Sequence, residues 1–236
     1  LTLKEHMVAE VRRAIGELRR HGFGVAGLIF DLSFMSDGIF VNEKGWLQAV
    51  IDEVHAVGGV FIADEVQAGL ARLGSSMWGF QHQGVVPDIV TLGKPMGNGI
   101  PLSGVVFQPE VARDFGENVR YFNTFGGSSV PIAAGAAVLD VLESERVPER
   151  VDRIGALLRN GVRELLADSP HVADVRGDGL VLAIEVVTDR DSRTPDRERT
   201  SNIINAMRER RVLISGAAKD VNVLKVRPPL AFDEAD

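Results

Sequence analysis

The sequence predicts an α/β fold built on a parallel or mixed sheet, and three observations carry that prediction. Residues 25–30, 60–63, 89–92 and 105–107 form short, continuous apolar runs, the pattern of strands buried on both faces. Segments of helical periodicity or loop composition separate them, as crossover connections require. Asp31, Asp64-Glu65 and Gly93-Lys94 each follow one of these runs, at the carboxyl ends where ligands collect on such sheets.

The elements follow in order. Thr2-Leu3-Lys4-Glu5 fits a capping box, with Thr2 as N-cap and Glu5 three residues on. Leu3, Met7, Val11, Ala14, Ile15 and Leu18 then recur at helical spacing, and Gly22 is a plausible stop. Arg12, Arg13, Arg19 and Arg20 read as a solvated helix face. Residues 45–57 look helical and end at Gly58-Gly59. After the fourth apolar run, Pro131 starts a helix of small residues that reaches about Glu143.

Pro148 marks a break, which places a domain boundary between residues 1–147 and 148–236. The second part holds an amphipathic helix over 149–168. Two apolar stretches over 172–187 flank Arg176-Gly177-Asp178-Gly179, and a charged loop covers 188–200. A helix over 200–210 precedes strands at 212–214 and 221–226. These make a small α/β domain. Residue 1 is Leu rather than Met, and 231–236 reads as the start of a helix, so both ends look like cuts in a longer chain.

Composition removes whole classes of function. The 236 residues are 45% hydrophobic and 25% charged, which is globular rather than disordered. A net charge of −7 argues against nucleic acid or an anionic membrane as the main partner. The absence of cysteine excludes disulfides, thiolate catalysis and Cys-ligated metals. No apolar run approaches the roughly 20 residues of a membrane helix, and no signal segment opens the chain, so a cytoplasmic location is expected. The histidines His6, His21, His55, His82 and His171 lack paired ligand spacing, and Pro95 after Lys94 breaks a phosphate-loop pattern. No metal and no nucleotide site are expected.

The chemistry centres on Asp64 and Lys94. A carboxylate at the end of a buried strand is costly without a positive partner. A lysine at such a site can lose its proton and attack a carbonyl, forming a Schiff base. A carbonyl cofactor with a ring nitrogen needs both groups: the lysine holds the aldehyde and the carboxylate keeps the nitrogen protonated. That pairing is the pyridoxal phosphate arrangement. From spacing alone, an ordinary ion pair or two unrelated loop charges remain open alternatives.

Five blocks narrow the choice. Phe61-Ile62-Ala63-Asp64-Glu65-Val66-Gln67-Ala68-Gly69 resembles the signature of the class III aminotransferases, pyridoxal phosphate enzymes of fold type I. Asp88-Ile89-Val90-Thr91-Leu92-Gly93-Lys94-Pro95-Met96-Gly97-Asn98-Gly99 and Tyr121-Phe122-Asn123-Thr124-Phe125-Gly126-Gly127 do as well. The resemblance continues through Asp174-Val175-Arg176-Gly177-Asp178-Gly179-Leu180 and Val223-Leu224-Lys225-Val226-Arg227-Pro228-Pro229-Leu230. The blocks occur in family order and cover nearly the whole chain. Ser36-Asp37-Gly38-Ile39-Phe40 and Met77-Trp78-Gly79-Phe80 look most like the branch of ethanolamine-phosphate phospho-lyases and related aminotransferases.

The resemblance implies a mostly parallel sheet in a large cofactor domain, here residues 1–147, and a small C-terminal domain. It implies that Lys94 forms the internal aldimine and then moves the substrate proton. Asp64 pairs with the pyridinium nitrogen, Val66 lies against the ring and Gln67 bonds its phenolic oxygen. Thr124 reaches the phosphate of the neighbouring subunit, which makes a homodimer with shared sites. Taken singly, Val66 is a core residue and Gln67 and Thr124 are loop residues.

Arg227 stands beside the Pro-Pro pair. Many members bind a substrate carboxylate with an arginine whose usual position is nearer Lys225, so Arg227 reads as substrate-binding or structural. Arg176 reads as an anchor for a domain turn.

The implied activity is transamination between an amine or amino acid and a keto acid. A phospho-lyase acting on a phosphorylated amino alcohol, or an inactive truncated homologue, are the alternatives. Ala68, Leu70, Ala71, Leu73, Ile100 and Ser128-Ser129 depart from the family pattern, as does Asp31-Leu32 where many members have Glu-Pro. The family's phosphate-gripping loop and stacked aromatic ring have no counterpart here, so the chain alone is expected to be weakly active or inactive.

Overall fold

The structure is a computed structural model that describes residues 2–40 and 44–236; Leu1 lies outside them. Two compact units form, one from Leu1–Leu32, Glu43–Leu70 and Trp78–Val141, the other from Ser33–Asn42, Ala71–Met77 and Leu142–Asp236.

In the first unit, α1 spans Leu3–Arg20. The Thr2 hydroxyl accepts the Glu5 N–H at 3.2 Å, and the Glu5 carboxylate accepts the Thr2 N–H at 2.9 Å. This capping box satisfies two orphan amides and contributes about 1 kcal/mol. Of the predicted stripe only Ile15 is buried. Helix α2, Leu47–His55, buries Leu47, Val50, Ile51 and Val54. Gly58, at φ +83°, lets the Gly59 N–H return to the Val54 carbonyl at 3.0 Å and close the helix.

All four expected strands of this unit are present. They are β1 (Gly27–Asp31), β2 (Val60–Asp64), β3 (Ile89–Leu92) and β4 (Gly104–Phe107), paired in the order β1-β2-β3-β4. The β1-β2 and β2-β3 pairs are parallel, and β4 runs antiparallel to β3. Burial on both faces holds only in part. Phe61 and Ala63 of central β2 are fully buried, whereas Ile29 of β1 is 59% exposed and Val106 of β4 is 56% exposed. Full burial needs a layer on each face. Helix α2 packs on β1 and β2, and α4 (Pro109–Asn118) on β4, which leaves parts of both edge strands open.

Two helices of this unit were not anticipated. Helix α3 is a single turn, Gly79–Gln83. Helix α4 carries Pro109 at its first position and Glu110 in its first turn, which is a legible start signal. Helix α5, Ser129–Ser144, begins before Pro131 rather than at it. The proline sits in the first turn, where a missing N–H costs nothing.

In the second unit, α6 (Val147–Leu165) packs on β5 (Val172–Asp178), which forms a hairpin with β6 (Val181–Val186). With β7 (Ser215–Ala217) and β8 (Val223–Val226) they make an antiparallel sheet in the order β5-β6-β8-β7. Val172, Val175 and Leu182 form its core with Leu158, Val162 and Leu166. Helix α7, Arg197–Glu209, starts earlier than expected because Asp196 caps it, accepting the Arg199 N–H at 2.9 Å.

The strand expected at 212–214 lies instead at Ser215–Ala217. Arg211 adopts φ +65°, and the Val212 N–H returns to the Met207 carbonyl at 3.0 Å. That bond closes α7, so Val212 belongs to the helix cap and strand pairing starts later. Residues 231–236 carry turns rather than the expected helix start. Among the described residues, no helix is long and apolar enough to cross a membrane.

Candidate active site

Parallel pairing brings two strand ends side by side. β2 ends at Asp64, which is the register partner of Thr91 in β3. β3 ends at Leu92, and Lys94 follows it directly after Gly93. The carboxylate and the amine therefore leave neighbouring strands at the same edge of the sheet. Asp31 ends β1 at that edge too, as the register partner of Asp64.

Local backbone sets how Lys94 leaves the sheet. Gly93 is extended, and Lys94 then turns to φ +44° and opens a short 3-10 turn, Lys94–Gly97. The left-handed region costs an ordinary L-residue about 1 kcal/mol, so the surroundings must hold it. Met96 N–H to the Gly93 carbonyl at 3.2 Å and Asn98 N–H to the Pro95 carbonyl at 3.0 Å do so. The Lys94 side chain is exposed.

The turn after β2 faces that loop. Asp64 Oδ1 accepts the Val66 N–H at 3.0 Å. The Val66 side chain lies beside Gly93, where an added Cβ would stand 3.7 Å from it. Gln67 follows, half-buried. An apolar hollow of about 310 Å³ opens next to this turn, lined by Glu65, Trp78, Leu92, Gly93, Met96 and Leu102 among others.

Glu65 is the residue of this site that the sequence reading passed over. It is 3% exposed, and its two carboxylate oxygens accept the Gly79 N–H at 2.8 Å and the Phe80 N–H at 2.7 Å. Its signal was the second acid after an apolar run, followed by glycines at 69 and 79. A Cβ on Gly79 would stand 2.9 Å from that of Ala68 and 3.3 Å from Glu65 Oε1, so only glycine admits the carboxylate.

Burial pushes the Glu65 carboxyl above its usual 4.5; the two amides oppose the rise, and the charges of Asp31 and Asp64 add to it. A carboxyl with a raised folded-state pKa stabilises the fold below the unfolded value, and that contribution is lost as pH rises through the raised one. The stability of the wild type relative to Glu65→Gln, read from urea midpoints, is therefore expected to fall as pH rises from 4.5. A difference that stays flat or grows would contradict the burial.

The remaining predicted residues sit on other elements. Thr124 sits on an exposed segment between α4 and α5, next to Asn123, whose side chain accepts the Phe125 and Gly126 N–H groups at 3.0 and 3.1 Å. Among the described residues no hydrogen bond joins Thr124 to Asp64 or Lys94. Arg227 follows β8 in the second unit and is exposed. Lys225, the nearer match to the family's usual arginine position, donates to the Met35 carbonyl at 3.1 Å. Arg72 is pushed down to about 10, first by burial and then by the charge of Arg227. Of the departures noted above, Ala68, Leu70, Ala71 and Leu73 are all buried, with Leu70 and Ala71 at φ +56° and +64°.

The donor set at the strand ends fits a carbonyl-bearing aromatic ring with a basic nitrogen. It offers an amine, a carboxylate and, beside Gly93, an apolar side chain.

Comparison with known proteins identifies the family. Residues 2–236 match the family described as Aminotransferase class-III. The chain is 44% identical over 214 residues to alanine–glyoxylate aminotransferase 2 homolog 2, mitochondrial, of Arabidopsis thaliana, covering 90% of this chain and 44% of that one. A phospholyase from Arthrobacter, solved in complex with phosphoethanolamine, is 41% identical with a TM-score of 0.94, over 99% of this chain and 55% of that one. An amine transaminase from an uncultivated Pseudomonas species, solved in its PLP-bound form, is 28% identical with a TM-score of 0.88, over 99% and 53%. The chain thus spans about half the length of these relatives. With a match over residues 2–236 and the lysine and aspartate motifs in place, the chain belongs to the class III aminotransferase family.

Proposed function

We propose that this protein is a pyridoxal-phosphate-dependent aminotransferase that moves an amino group from an amine or amino acid to a keto acid. One observation carries the reading: Asp64 and Lys94 leave adjacent parallel strands at one sheet edge, with Asp64 in register with Thr91. In this reading the first unit is part of the large cofactor domain and the second is the small domain.

When bound, pyridoxal phosphate supplies an aldehyde and a ring that accepts electrons. Lys94 would hold the cofactor through its Nζ, and once the substrate amine had taken its place the freed amine would hold and return the proton of the substrate carbon. Asp64 holds a proton at the ring nitrogen by charge. Val66 packs on one face of the ring and excludes water there. Gln67 orients the ring through its phenolic oxygen. Thr124 donates to the phosphate in the neighbouring subunit, and Arg227 pairs with a substrate carboxylate.

The assignment of Thr124 requires a homodimer. Tyr121, Phe122 and Phe125 beside it are 68%, 83% and 84% exposed, and apolar surface of that kind supports burial against a partner.

A second reading, a phospho-lyase on a phosphorylated amino alcohol, is favoured by the 41% identity to the Arthrobacter phospholyase. Both readings share proton removal by Lys94 and differ in what leaves. The test supplies the cofactor-loaded protein with alanine and glyoxylate, and separately with phosphoethanolamine alone. Amine transfer that depends on the acceptor is the expected result. Phosphate release without any keto acid would move the assignment to the lyase, and neither product from a loaded protein would count against both.

A further inference from the structure

We propose that Glu65 is a positioning residue for the cofactor-facing turn at residues 64–67. The inference rests on the reading of Asp64 and Val66 as cofactor contacts. Four hydrogen bonds meet at this one residue. Its carboxylate accepts the Gly79 and Phe80 N–H groups, its own N–H donates to the Thr91 carbonyl at 3.0 Å, and its carbonyl accepts the Gly69 N–H at 3.0 Å. Glu65 thus ties the turn to β3 on one side and to α3 on the other.

Asp64 and Val66 flank it directly, and the Val66 side chain lies beside Gly93 of the lysine loop. Satisfying α3 alone does not call for so buried an acid, since a serine or aspartate at the N-cap serves an exposed helix. Here the cap comes from the far side of the turn. The helix amides therefore hold the turn as much as the carboxylate holds the helix. Gly69 and Gly79 allow the approach: a Cβ on Gly69 would stand 2.8 Å from the Glu65 carbonyl and 2.8 Å from the Trp78 ring. An apolar hollow borders the same carboxylate.

Glu65→Gln separates positioning from bulk. The amide keeps one oxygen acceptor and turns an NH2 group toward the second helix amide, so the tie loosens with little change in volume. A buried control far from the turn is Val54→Ala in α2. Pyridoxal phosphate is titrated into wild type and both variants, following the visible absorption band and the melting temperature.

Glu65→Gln is expected to raise the Kd about tenfold or more and to shift the band of the bound cofactor. Val54→Ala is expected to lower the melting temperature but leave affinity and band unchanged. Wild-type affinity and band in Glu65→Gln, or an equal loss in Val54→Ala, would overturn the proposal.

If the wild type takes up no pyridoxal phosphate, the proposed function fails for this chain alone, and hydrogen exchange on the ligand-free protein decides the Glu65 inference separately. Faster exchange at Val66 and Gly69 in Glu65→Gln, with α2 unchanged, supports it. Unchanged exchange at Val66 and Gly69 overturns it.

Discussion

Lys94→Ala is expected to leave a folded protein that borohydride no longer joins to pyridoxal phosphate. The sequence contains five lysines: Lys4, Lys44, Lys94, Lys219 and Lys225. Only Lys94 stands at the carboxyl end of a parallel strand beside a carboxylate from its neighbour. Lys225 is engaged with the Met35 carbonyl in the second unit. Reduction followed by peptide mapping should therefore place the label on the peptide containing Lys94.

Amine transfer should fall about 10³-fold or more, since the variant loses both the nucleophile and the proton carrier. Lys94→Arg sharpens the test. It keeps the positive charge near Asp64 but cannot attack a carbonyl, so it should lose the label as completely as alanine does. The Lys94 side chain is exposed, so far-UV circular dichroism and the melting temperature should change little. Equal labelling of the other lysines in wild type, or a label that survives Lys94→Ala, would remove the basis of the enzymatic reading.

Arg176→Ala is expected to destabilise the second unit by about 3–5 kcal/mol, a large share of the 5–15 kcal/mol that holds a domain. Arg176 is 7% exposed and its guanidinium satisfies several partners together. Nε donates to the Ile39 carbonyl at 2.9 Å, one terminal nitrogen donates to the Gly38 carbonyl at 2.7 Å, and the other meets Glu185 at 2.7 Å and Asp174 at 3.1 Å. Its plane lies 4.6 Å over the Phe40 ring.

Alanine would strand two buried carbonyls and leave the Glu185 carboxylate to Arg193 at 3.6 Å. It would also release Ile39, which is fully buried at φ +63°, a conformation a β-branched residue keeps only under constraint. Arg176→Lys retains the charge but lacks the planar fork, so an intermediate loss is expected.

The readout matters. Trp46 and Trp78 both belong to the first unit, so tryptophan fluorescence reports on that unit rather than on this one. Amide exchange in β5 and β6 reports directly and should rise by a hundredfold or more, at about 1.4 kcal/mol per tenfold. Exchange within a fewfold of wild type would show that the network contributes little.

Much of the local structure was legible in the sequence because its causes are local. Thr2 and Glu5 sit three residues apart, as a capping box needs, and the box forms. The apolar runs became strands, and Gly58 ended α2 because its backbone reaches a positive φ without strain. The family resemblance could likewise be read from motifs, since each is a contiguous string.

What pairing and layering decide could not be read. Val212 looked like a strand residue by composition, yet the closing bond of α7 claimed its N–H, while Ser215, Gly216 and Ala217 became a strand only because β8 offered a partner. Ile29 and Val106 looked like core residues, and only the placement of helices shows that part of each edge strand stays open. Glu65 looked like one more acid after a strand. Its weight comes from two amides across the turn at positions 79 and 80. The sequence alone determined which residues could carry the chemistry and which local signals, such as the Thr2-Glu5 capping box and Gly58, start or stop an element. Tertiary structure alone decided that Asp64 and Lys94 share an edge, because parallel register is a contact between distant segments and no local preference encodes it.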